Sequence, residues 1–243
     1  MWFVSRINRS ILGRCLVGLS LLTLAVPSAQ AATALSFAPI SLKMVGNQRA
    51  TSLTLRNVSD QTASFRLELN QWTQNGEDLY APTRDLIVNP SGFTLTPGQE
   101  QTIRIARRGN AADTNEHAYR VFIQELPPQA VDGPDGSVKI TTLYRLSLPL
   151  MLSAVGAAPK LSFALERSSD GLAVVASNSG NLYTTLTDVE LSVDGQKLEV
   201  PSFNLLGGGS MRFAVSGAAP TTAEVGLQFT QNQAVQQFTL RAP

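Results

Sequence analysis

Residues Tyr119 to Leu152 read YRVFIQELPPQAVDGPDGSVKITTLYRLSLPLML. An alternating run closes on Pro127-Pro128, and a loop rich in glycine, aspartate and proline follows from Gln129 to Ser137. The second run, SVKITTLYRLSLPLML, then keeps a two-residue period almost to its end. Successive side chains of a strand point to opposite faces, so this period marks two strands. The second is long, since strands commonly hold about five or six residues. A long apolar strand at a sheet edge pairs with whatever reaches it, and proteins ordinarily blunt such edges. One that is kept points to a partner.

The flanking sequence extends the pattern. TALSFAPISLKM leads to Gly46-Asn47; TSLTLRN, TASFRLELNQW, the Asn75-Gly76 turn, DLIVNP, FTLTPGQ and QTIRIARR follow. In QTIRI, Ile103 and Ile105 point one way and Thr102 and Arg104 the other, as in a strand with one buried face; Phe65, Leu67 and Leu69 repeat this. After Leu152 the small-residue connector SAVGAAP, Ser153 to Pro159, marks a domain boundary. Beyond it LSFAL, LAVVAS, the Asn178-Ser179-Gly180 turn, LYTTL, VELSV, the Asp194-Gly195 hairpin turn, KLEV, FNLL, MRFAV, VGLQF and AVQQFTL read as a second set of strands. No long stretch carries a helical period. The expected fold is all-β, two immunoglobulin-like β-sandwich domains over residues 32–153 and 154–243.

Residues 1–31 read as a cleaved secretory signal, with Arg6, Arg9 and Arg14 as the basic leader, Cys15 to Val26 as the apolar core and Ala29-Gln30-Ala31 as the cleavage site. The apolar run is too short to span a bilayer, so no membrane insertion of the mature chain is expected. The segment holds the only cysteine, which leaves the mature part without a disulfide or a cysteine metal site. It also takes three arginines and no acid from totals of 19 basic and 18 acidic residues, so the remainder is slightly acidic. That balance argues against a nucleic-acid partner.

Catalytic parts are missing. His117, the only histidine, is expected as a solvated side chain in a charged loop ahead of YRVFIQEL. As a solvated loop side chain it is not expected to serve as the base of a hydrolytic triad, and with no second histidine or mature cysteine a His/Cys zinc site lacks its ligands. Glu77, Asp78, Asp132, Asp135 and Asp170 fall in turns, where acidic residues serve turn geometry. A glycan-processing enzyme, whose two carboxylates would converge only in space, is the third class open to the sequence, and no motif points to it. Gly207 to Gly209 lacks the strand–glycine–helix context of a phosphate loop. Asn57-Val58-Ser59 matches a glycosylation sequon, a frequent chance match. No catalytic residue, cofactor or metal is expected, and the chain is not read as an enzyme.

Several segments resemble, in order, the periplasmic chaperones of the chaperone–usher pathway, which assemble pili. GNQRATSLTLRN looks like the family's first turn and second strand, and LIVNPSGFTLTPGQEQTIRI like its proline, strand, Pro-Gly turn and strand. YRVFIQELPP is similar to its sixth strand and LYRLSLPLML takes the place of its seventh; WTQNGEDLYAPTRDLIVNP and RLSLPLML look most like the archaic branch. The resemblance implies two sandwiches in a boomerang arrangement, a periplasmic location, pilus or fimbrial subunits and an outer-membrane usher as partners, and assembly without nucleotide. It also implies that the seventh strand is lent to a subunit lacking one strand. Val138, Ile140, Thr142 and Tyr144 alternate on one face of that run, each about 6.6–6.8 Å from the next, and would enter successive pockets. This chain's own core, or a homodimer, are the other uses open to these four side chains. The rival on the same architecture is an adhesin or a pilus structural subunit. A subunit, however, should lack a final strand and carry an N-terminal donor extension.

The best-studied members grip the subunit's terminal carboxylate with an arginine on the first strand and a lysine on the seventh. Here Ser41 and Ser147 occupy those places. A buried carboxylate still needs cationic donors, and Arg120 and Arg145, set among apolar neighbours, are the expected replacement, with Lys43 as a further donor. Arg104, Arg107 and Arg108 are expected along a solvated strand edge.

Overall fold

A computed structural model describes residues 34–109, 115–127, 142–168, 171–215 and 224–241, and every regular element among them is a strand. In chain order these are β1 Leu35–Ala38, β2 Leu42–Val45, β3 Ala50–Asn57, β4 Ala63–Gln74, β5 Asp78–Pro82, β6 Leu86–Asn89, β7 Gly92–Leu95, β8 Glu100–Arg107, β9 His117–Leu126 and β10 Arg145–Ser153. They form a four-stranded sheet, β1-β3-β8-β6, and a six-stranded sheet, β2-β10-β9-β4-β5, with β7 also on β4. The chain continues through β11 Leu161–Ser168, β12 Gly171–Asn178, β13 Thr184–Val193, β14 Gln196–Val200, β15 Phe203–Leu205, β16 Ser210–Val215, β17 Glu224–Gln231 and β18 Ala234–Arg241. These make sheets β11-β12-β16 and β14-β13-β17-β18, with β15 on β13.

The alternation seen in sequence is what closes each sandwich. Leu53 and Leu55 of β3, Phe65 and Leu67 of β4, Ile103 and Ile105 of β8, and Val121 and Ile123 of β9 meet in one core. Leu172, Val174, Leu191, Val225, Leu227 and Phe229 form the second. Burying such a side chain is worth roughly 1.5–3 kcal/mol, so these two faces carry most of the folding energy.

The strands depart from the expected runs at three places. TALSFAPISLKM is divided at Pro39: β1 pairs with β3 in one sheet, whereas β2 runs parallel to β10 in the other. LYTTL and VELSV belong to one strand, β13, whose register on β17 shifts between Thr187 and Glu190 while Asp188 turns left-handed at φ 51°. A bulge keeps such a strand continuous where alternation breaks. DLYAP, unread as a strand, becomes β5 because twelve-residue β4 outlasts its other partners and pairs it from Asn70 to Gln74.

The ends of β3 and β12 repeat one device. The Asn57 carbonyl accepts from Gly98 N and its amide donates to Gln99 O; Asn178 brackets Gly208 and Gly209 in the same way. Asn57 Nδ2 donates to Gln61 O and Leu95 O, and Asn178 Nδ2 to Leu182 O and Leu205 O. Both side chains are buried. Gly98 and Gly208 both sit at positive φ, 76° and 72°, where glycine carries no Cβ penalty. The triple glycine is thus a strand-to-strand turn, and the side chain of the sequon's Asn57 is fully engaged in hydrogen bonds.

Candidate functional site

On β9 the inward residues are Tyr119, Val121, Ile123 and Glu125; Arg120, Phe122 and Gln124 therefore face outward on the six-stranded sheet. Register sets Asn70 and Pro149 beside Arg120, Glu68 and Ser147 beside Phe122, and Arg66 and Arg145 beside Gln124. Ala118 lies between Trp72 and Met151, and Met151 pairs with Lys43.

Arg120 is half-buried, with its guanidinium carbon 3.9 Å from the Trp72 ring centroid. Its Nε is buried without a hydrogen-bond partner, and among the described residues no ion pair reaches it. Stacking on an indole returns about 0.5–2 kcal/mol. An unmet donor in a buried position costs about 1–3 kcal/mol, a cost of the same order, and the Tyr80 hydroxyl also interacts with this cation. Arg145 is exposed and lies 4.6 Å over Phe122, whose ring meets Tyr80 edge-on at 5.6 Å. The two arginines share the face. They are nonetheless four register positions apart, about 13 Å along the strand, and form two cationic positions leaning on different rings.

One acid organises the surroundings of Arg120. Trp72 Nε1 donates to Asp78 Oδ1 at 2.8 Å, Gln74 Nε2 to the same oxygen at 2.8 Å and Tyr80 Oη to Oδ2 at 3.2 Å. Burial and then the Asp78 charge push the Tyr80 hydroxyl above its ordinary pKa, against the pull of Arg120. Gln74 also donates to Asn204 O and accepts from Leu206 N, both at 2.8 Å, so this corner is fixed to the second sandwich. Gly76 adds backbone bonds, donating to Ser210 O and accepting from Arg212 N. Trp72, Ala118, Met151 and Leu206 bury a small apolar cluster there, with Tyr183 against it.

Glu116 is a second tie. Its Oε2 accepts from Ser153 Oγ at 2.9 Å and its Oε1 from Tyr183 N at 2.8 Å. Burial raises its pKa, and outweighs the hydrogen bonds from Ser153, Tyr183 and Gly207 and the Lys43 charge. Lys43 lies 5.6 Å from the Tyr183 ring centroid. Sequence reasoning did not single out Gln74, Asp78 or Glu116 as anything but turn or loop polarity. The one available signal was Gln74, a polar residue continuing the buried register of Trp72.

Of the four residues expected to be lent, Val138 and Ile140 lie outside the described residues. Thr142 and Tyr144 precede β10 and are exposed, and Tyr144 continues its ladder: its carbonyl accepts from Glu125 N and its amide donates to Glu125 Oε2. From Arg145 to Pro149, β10 is paired only to β9 among the described residues, because β2 joins it at Leu150. Pro149 suits such an edge, where a missing N–H is tolerated. Ser147 is exposed and Ser41 half-buried. His117 is not a loop residue but the first residue of β9, half-buried opposite Leu152. Of the three arginines expected to be solvated, Arg104 and Arg108 are exposed. Arg107 departs from that expectation: it is half-buried and donates to Gly46 O at 3.1 Å.

A two-sandwich protein is therefore defined, in which Arg145 to Pro149 of β10 are paired on one side only among the described residues, beside a cationic, aromatic outer face. Residues 34–153 belong to the pili and flagellar-assembly chaperone family, matching its PapD N-terminal domain. No curated protein sequence matches it. Among solved structures it resembles the CsuC–CsuE chaperone–tip subunit pre-assembly complex of the archaic Csu pili of Acinetobacter baumannii. The identity is 18%, the TM-score 0.67, with 88% of this chain and 100% of that one covered. It also resembles the Salmonella enterica SafA pilin in complex with the SafB chaperone (12%, TM-score 0.59, 88% and 98% covered). A third is the Pseudomonas aeruginosa CupB2 chaperone (16%, TM-score 0.54, 86% and 100% covered). At these identities the likeness is one of fold.

Proposed function

We propose that this chain is a periplasmic chaperone that holds pilus subunits by strand donation and passes them to an outer-membrane usher, with no catalytic step. The run from Val138 to Tyr144, leading into the open edge of β10, fills the subunit's missing-strand groove. The observation that carries the reading is Arg120. A half-buried arginine whose guanidinium stacks on Trp72, with no ion pair to a protein carboxylate among the described residues, is suited to receive the terminal carboxylate of the subunit. Arg145 is a second cation further along the same face, and Lys43 lies toward the second sandwich. The open edge and the archaic pilus complex of similar fold support the same reading.

The test is co-expression with a pilus subunit and recovery of the complex. Arg120→Ala should lower recovery by more than about tenfold, since a charge-assisted pair to carboxylate is the stronger kind of hydrogen bond. Arg145→Ala, at an exposed position, should cost less. Unchanged recovery for both variants, with the fold intact, would remove the carboxylate anchor.

A further inference from the structure

Trp72 and Tyr80 face each other across β4 and β5, with ring centroids 6.4 Å apart. Arg120 stacks on the first and bears on the hydroxyl of the second. Asp78 holds both rings by their polar atoms, and Gln74 holds Asp78 in turn from the side of the second sandwich. With three donors on its two oxygens, Asp78 makes no ion pair with Arg120 among the described residues. That division matters. Had the acid paired with Arg120, an incoming carboxylate would meet a neutralised site.

We propose that Asp78 is the positioning residue of the carboxylate site: by fixing Trp72 and Tyr80 it keeps Arg120 stacked and its outward N–H groups directed at the C-terminal carboxylate of a bound strand. The inference rests on Arg120 being the anchor, and the experiment separates the two. The probes are a short synthetic peptide of alternating valine and threonine with a free C-terminal carboxylate, and the same peptide ending in an amide. Calorimetry gives the ratio of their dissociation constants. The ratio is the readout because a general loosening of the sheet weakens both peptides alike. Trp72 is the only tryptophan beyond Trp2, so its emission gives a second signal of Arg120 moving off the ring.

Wild type should prefer the carboxylate by about tenfold or more, and Arg120→Ala should abolish that preference. Asp78→Ala should remove most of it and change Trp72 emission. Asp78→Asn, which keeps an acceptor for Trp72 and Gln74, should retain most of it. If Arg120→Ala abolishes the preference and folded Asp78→Ala keeps it, the positioning role is wrong. If Arg120→Ala leaves the preference intact, the anchor itself is wrong and the inference goes with it. Should Asp78→Ala not fold, Tyr80→Phe removes only the hydroxyl bonded to Asp78, and an unchanged ratio there overturns the proposal.

Discussion

At the scale of single residues, side chains with the same sequence signature have different uses. Asn57 and Asn178 each look like turn asparagines, yet both are buried and make four side-chain hydrogen bonds of the same pattern. Asn57 Oδ1 accepts from Ser59 N and Ser59 Oγ, Asn178 Oδ1 from Lys160 N and Gly180 N, and each Nδ2 donates to two carbonyls. Replacing either with alanine leaves buried groups unpaired, at about 1–3 kcal/mol or more. Urea unfolding of Asn57→Ala and Asn178→Ala should show losses of that size. A loss below about 0.5 kcal/mol would mean water replaces the side chain. Arg120 was legible as a charge among apolar neighbours. Asp78 was not, because an acid after Asn75-Gly76 reads as turn chemistry until β5 folds beside β4.

At the scale of elements, β10 and the run before it combine two roles. Leu148, Leu150 and Met151 are buried and hold the strand in its own sheet, whereas Thr142, Tyr144, Arg145 and Ser147 are exposed. The interior half should therefore tolerate nothing polar, and the exposed half should tolerate charge at little cost in stability. Tyr144→Asp should leave the melting temperature within about two degrees. The double variant with Ile140→Asp should lower recovery of a co-expressed subunit by more than about tenfold, because each lost apolar plug is worth roughly 1.5–3 kcal/mol. Equal recovery would overturn strand donation by this run. Alternation made both strands readable. The point where β2 joins β10 was not, since parallel register depends on a crossing at Pro39 that no local period encodes.

At the scale of the whole molecule, the contacts between the sandwiches join a small apolar cluster to specific polar bonds. Glu116, Gln74 and Gly76 all bond across them. Glu116 gives this joint a pH dependence. Its folded-state pKa lies above the ordinary 4.5, so the folded protein holds that proton more tightly than the unfolded chain. The contribution is then most favourable below the ordinary value, and it falls as pH rises through the folded one. Melting temperatures measured across that window should decline less with pH in Glu116→Gln than in wild type; parallel profiles would assign the slope to other groups. Gly209 belongs to the same joint. A Cβ there would come 3.0 Å from both Cβ and Oε1 of Gln74. The sequence by itself determined the all-β class, the period of each core and the family resemblance, because alternation and turn residues act over a few neighbours. Tertiary structure alone decided what surrounds each outward charge. The environment of Arg120 comes from Trp72 and Tyr80 on two other strands, and no local pattern carries that information.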